Sequence, residues 1–150
     1  MTLNSILLAL HLLSAVIWVG GMFFAYVCLR PVVALQLEPP QRIKLWVAVF
    51  RKFFPFVWLA ILILLTTGFS MIFSIYNGFD NAPAIVLIMQ VLGIIMMLIF
   101  MHVYFAPFKH MKNAIVTEDW PIGAKGLKQI RLLISINLTL GLLTILIAVR

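Results

Sequence analysis

The chain has 150 residues, 65% of them hydrophobic and only 10% charged, with 11 Lys and Arg against 4 Asp and Glu for a formal net charge of +7. A soluble domain carries roughly a quarter charged residues and about half apolar ones, so a water-soluble globule is excluded, as is a disordered tail. A disulfide-stapled secreted module is excluded because Cys28 has no second cysteine to pair with, and a nucleic-acid binder because the basic residues sit between long apolar runs instead of forming one patch.

A membrane-crossing helix needs about 20 mainly apolar residues, since the hydrocarbon layer is ~30 Å thick and each helical residue rises 1.5 Å. Four stretches meet that length, at about 3–29, 53–76, 84–106 and 132–149. The predicted fold is an all-α integral membrane protein, a four-transmembrane-helix up-down bundle forming one domain over 1–150. The first stretch lacks a basic leader and exceeds the apolar core of a signal peptide, so it is expected to be retained. On it His11, Ala15, Trp18 and Met22 recur at i, i+4, i+7 and i+11, one stripe toward the bundle interior. Next come Arg30, Arg42, Lys44, Arg51 and Lys52. Over 41–54 these alternate with Ile43, Leu45, Trp46, Val49 and Phe50, which predicts an interfacial helix running into the second stretch with Trp46 at headgroup depth.

The second stretch carries Thr66, Thr67, Gly68, Ser70 and Met71, and ends at a turn-forming segment from Asn77 to Pro83 that holds no basic residue. The third carries Met89, Gln90, Met96, Met97, Met101 and His102, followed by Lys109, His110 and Lys112; Lys125, Lys128 and Arg131 then precede the fourth. The positive-inside rule puts both basic connections in the cytoplasm and both termini outside, as a multi-pass protein with anionic lipid as the partner of its charge.

Polar groups inside hydrocarbon are costly, so those present point to function. No Asp, Glu, Lys or Arg lies within the spans, which argues against a proton-coupled pump or a charged filter. Imidazole is different, being the commonest metal ligand. His11 falls ~9 Å into its span and His102 ~27 Å into a span running the same way. That gap bars them from sharing one metal, so they belong to two sites or one is structural. Near the level of His11 lie Ser70, Met71, Met89 and Gln90; near that of His102 lies Met22. Methionine ligates haem iron and Cu(I), though it also fills cores. The candidate metal ligands are therefore His11, His102, Met22, Met71, Met89 and His110, with His11, His102, Trp18 and Gln90 as cofactor-binding residues. The plainer alternative is a histidine hydrogen-bonded to a neighbouring helix or, for His110, solvated. No phosphate-loop, dinucleotide or hydrolase motif occurs, so no catalytic residue is nominated.

The run His11-Leu-Leu-Ser-Ala15-Val-Ile-Trp18-Val-Gly20-Gly21-Met-Phe-Phe24, closing on Leu29-Arg30-Pro31, resembles the first helix of the copper-resistance protein D (CopD) family. The likeness continues through Phe50-Arg51-Lys52-Phe53 to Leu65-Thr66-Thr67-Gly68, and it implies a four-span protein linked to copper uptake across the inner membrane. More distantly the chain is similar to haem-binding membrane proteins of the HemJ type, whose first- and third-helix histidines match His11 and His102. Their haem-associated lysine falls near Gln90, a weak ligand, leaving Met71 or Met89 as replacements. Three functional expectations follow. The first is a membrane oxidoreductase with one or two b-type haems, taking electrons from a quinol. The alternative is a CopD-like carrier passing Cu(I) between His11, Met22 and methionines of the second and third spans. The third is a metal-free structural subunit. Homo-oligomerisation stays open, because three histidines are too few for two bis-histidine haems in one chain.

Overall fold

Apolar segments in lipid must satisfy every backbone N–H and C=O internally, and this chain does so with helices. The computed structural model describes residues 2–150. Helix α1 (Leu3–Phe23) starts at Thr2, whose side-chain oxygen accepts from the Ser5 amide at 3.2 Å. It passes without a break through a π-helical stretch, Phe24–Leu29, into α2 (Arg30–Gln36). The widened turn stands directly before Pro31, whose ring would meet the carbonyl four residues back and whose nitrogen cannot donate.

Leu37 is extended, and Glu38 and Gln41 then form a capping box at the head of α3 (Pro39–Tyr76). Asn77 and Gly78 end α3 with φ of 58° and 123°, the second a conformation that glycine adopts without strain. A 3-10 turn, Phe79–Asn81, leads to α4 (Ala84–Phe105). Pro107 disfavours helical backbone at Ala106, which breaks α4 from α5 (Pro107–Thr117). Asp119 caps α6 (Trp120–Ala148) by accepting from the Ile122 amide at 3.4 Å. Four helical segments are thus long and apolar enough to cross a membrane, Leu3–Gln36, Pro39–Tyr76, Ala84–Thr117 and Trp120–Ala148. They run past the expected span ends because amphipathic turns continue each apolar core. Leu12, Val16, Leu62, Leu98 and Leu146 stay more than half exposed on the outer faces, as a lipid-facing surface requires.

The basic segment 41–54 is helical and continuous with the second span, as the sequence predicts. Trp46, expected at headgroup depth, is 6% exposed and packs on Phe50 with ring centroids 5.3 Å apart. Ile43, Trp46, Val47, Phe50 and Phe54 make an i, i+3, i+4, i+7, i+11 stripe that faces the protein, while Lys44, Arg51 and Lys52 face out.

Two helical hairpins build the bundle, α1 on α3 and α4 on α6, with α5 folded along α6. In the first, Ser74 Oγ donates to Asn4 Oδ1 at 2.9 Å and His11 Nδ1 lies 2.7 Å from Thr67 Oγ1. The pairs are seven residues apart on both antiparallel helices, a two-turn repeat that keeps one face in contact. Glycines set the close approaches. A Cβ at Gly126 would lie 2.9 Å from Met111 Cγ and 3.1 Å from the Pro107 carbonyl, and one at Gly141 would lie 2.9 Å from Val19 Cγ2. Phe54 sits in a cluster of rings, 4.8 Å from Phe108, 4.9 Å from Phe50 and 5.2 Å from Phe100.

Asn137 ties α6 to α4 from within the second hairpin. It is 3% exposed, its Nδ2 donates to the Met96 carbonyl at 3.1 Å, and its Oδ1 has no partner among the described residues. Asn137→Asp would turn the donor into an oxygen facing a carbonyl. It is expected to destabilise the protein by about 2–3 kcal/mol in reversible unfolding in detergent; a loss under ~0.5 kcal/mol, the size of a typical surface change, would mean that this side chain is solvated.

Candidate functional site

His11 emerges from α1 opposite Thr67 of α3. The Thr67 hydroxyl is 2.6 Å from the Ile63 carbonyl of its own helix, an acceptor with nothing to donate. A hydroxyl has one proton, so Thr67 Oγ1 spends it on Ile63 and must accept from His11 Nδ1–H. In the neutral ring, the form that binds metal, the Nε2 lone pair is then free. Thr67 is only 3% exposed, so no bulk water competes for this arrangement.

Gly68 forms the floor beside the imidazole. A Cβ there would lie 3.2 Å from Gln90 Oε1 and 3.5 Å from His11 Cε1, so α1, α3 and α4 bring a ring, a bare backbone and an amide together. Met71 follows Thr67 at i+4 on the same face of α3, whereas Met89, next to Gln90 in sequence, is turned about 100° from it around α4; both are half-buried. Imidazole nitrogen and thioether sulfur are uncharged donors of the kind that favours Cu(I) over hard cations, whereas the amide oxygen is a hard donor and adds no such preference.

The other candidates stand apart from this group. His102 is twelve residues beyond Gln90 on α4, or ~18 Å along the axis; it is exposed, with its Nε2 3.4 Å from Gln129 Nε2. His110 is exposed on α5. Trp18 and Met22 are buried, and with Phe53, Phe54, Phe100 and Asn137 they line a cavity of about 20 Å³, which is room for about one water. Among the described residues no three of His, Cys, Asp and Glu gather into a metal-holding group.

A haem needs a slot the size of its macrocycle. At His11 the space over Gly68 is closed by Gln90, and the Trp18–Met22 cavity is far too small. His102, the second expected axial ligand, faces away from the bundle core. The residues present do not fit a haem between the helices.

Thr67 is the neighbour of His11 that the sequence reading passed over, because Ser and Thr in spans usually bond their own helix. It does so here, and that bond is what makes it an acceptor for His11. The available signal was the seven-residue step from Asn4 and Ser74 to His11 and Thr67.

Residues 47–150 match the family model described as Copper resistance protein D. The matched region opens within α3 and takes in Thr67, Gly68, Met71, Met89, Gln90 and His102, while His11 lies ahead of it. Neither the curated proteins nor the solved structures give a significant match.

Proposed function

This chain is a multi-pass membrane protein that belongs to the copper resistance protein D family, and on that footing we propose that it takes copper, as Cu(I), into the bilayer for passage across a bacterial inner membrane. The whole chain acts as one four-helix unit. Its basic end lies in the cytoplasm, which places His11 in the outer half. The observation that carries the reading is the hydrogen bond from His11 Nδ1 to Thr67, because it commits Nε2 to act as a ligand. Copper is the cargo: His11 Nε2 receives it, with Met71 as a soft co-ligand and Gln90 Oε1 as a dipole beside them. Met22, three turns further along α1, is the next soft donor on the way in. Reaching it requires the Trp18–Phe100 edge contact, 6.3 Å between centroids, to give way.

Titrating the purified protein with Cu(I) against a coloured chelator tests this. The wild type is expected to withdraw one Cu(I) per chain at His11, and His11→Ala to lose that equivalent while remaining inserted and folded. Equal uptake by the two proteins, or none by either, defeats the proposal. A visible spectrum of protein from haem-replete cells adds a second arm: a Soret band abolished by His11→Ala would give the site to haem instead.

A further inference from the structure

At the basic end, away from His11, the π-helical stretch, α2, α3 and α6 leave a cleft of about 100 Å³ lined by Arg30, Arg42 and Arg131 together with Tyr26, Trp46 and Ile130, among other apolar residues. None of the four acidic residues of the chain lines it. Two of the guanidinium groups are held in place. Arg42 donates from Nε to the Leu37 carbonyl at 2.6 Å and from Nη2 to the Ala34 carbonyl at 2.8 Å, capping the end of α2. Arg30 donates from Nε to the Tyr26 carbonyl at 3.3 Å and lies over the Tyr26 ring at 4.3 Å. Backbone carbonyls and a ring face orient these groups without cancelling their charge, and each keeps unspent N–H donors. Three fixed or semi-fixed cations around one opening, with no anion of the chain among them, make a site that lacks its counter-charge.

We propose that this cleft binds the phosphate of an anionic phospholipid, with the guanidinium forks on the phosphate oxygens and the fatty chain along the apolar wall of the half-buried Leu127 and Ile134. Guanidinium is the side chain whose planar donor fork matches phosphate, and basic pockets between spans recognise anionic headgroups. The apolar wall distinguishes an amphiphile from a free ion, which would leave that surface wet. Because the cleft joins α2 and α3 to α6, its occupant clamps one hairpin to the other. The inference is independent of copper.

Native mass spectrometry and thermal unfolding of the full chain in neutral detergent test it, with dioleoyl phosphatidylglycerol, dioleoyl phosphatidylcholine and inorganic phosphate as probes. One phosphatidylglycerol is expected to be retained in preference to phosphatidylcholine and to raise the unfolding temperature. Arg30→Gln with Arg131→Gln is expected to weaken that retention roughly 10- to 30-fold, at the usual strength of a basic group against an anionic lipid. Arg42 is left intact because it caps α2. Lys44→Gln with Lys125→Gln, an equal loss of charge on exposed residues outside the cleft, is expected to keep the preference. Equal retention of the two lipids, or equal losses in both double variants, would overturn the site. Complete displacement of phosphatidylglycerol by inorganic phosphate that itself stabilises the protein would overturn the lipid as occupant.

Discussion

Thr67→Val is expected to lower Cu(I) affinity at His11 by about 10- to 100-fold, the usual cost of removing the group that orients a metal-bound imidazole. Valine matches threonine in shape but its methyl cannot accept a hydrogen bond. The Nδ1 proton then has no fixed place, and the ring populates the tautomer whose Nε2 carries hydrogen and cannot coordinate. Thr67→Ser keeps both the bond to Ile63 and the acceptor for His11, so it is expected to restore most of the affinity. The same chelator competition that tests His11→Ala reads all three proteins. A merely structural role for Thr67 would show as a loss of stability with copper affinity unchanged, and that pattern would refute the assignment of the tautomer.

A second loss of stability, separate from that of Asn137→Asp, is expected from Gly21→Ala. The Phe53 ring lies directly on Gly21, so closely that a Cβ would overlap it. Alanine improves intrinsic helix propensity by up to ~1 kcal/mol, whereas forcing a methyl into a filled contact costs about 1–3 kcal/mol. An aromatic ring with two torsions has few other places to go, so the contact wins and a net loss of about 1–2 kcal/mol is expected. Adding Phe53→Leu makes room for the methyl and is expected to recover most of the loss. Measured as a double-mutant cycle in reversible detergent unfolding, additive effects would show that the two side chains do not meet.

Hydropathy and length alone carried the four helices, because a segment in lipid has almost no other way to satisfy its backbone. Charge placement likewise explains why the basic residues gather at one end of the bundle, where Arg30, Arg42 and Arg131 converge. Within the site, counting depth along the spans put Gln90 near His11 and kept His102 away from both, which is the relation seen across Gly68. Facing was harder to read. Helix α4 is apolar on every side, so no polar stripe reveals that His102 turns outward. The burial of Trp46 was harder still, because an aromatic among lysines and arginines suits a headgroup anchor as well as a buried ring. Only the i, i+3, i+7 run of Ile43, Trp46 and Phe50 separates the two. The lack of a slot for haem depends on how tightly Trp18, Phe54 and Phe100 fill the interior, and no one-dimensional pattern records that.

The π-helical stretch from Phe24 to Leu29 has a mechanical meaning. It stores one residue more than regular α geometry would, so the two ends of the first long helix are out of phase by about 100° compared with an unbroken rod. Without that dislocation, the face of α1 that presents His11 to Thr67 of α3 could not coexist with a downstream face that presents Arg30 to the cleft. Annealing the turn would rotate one face away from its neighbour, so the stretch works as a splined coupling that indexes the two ends of the molecule to each other.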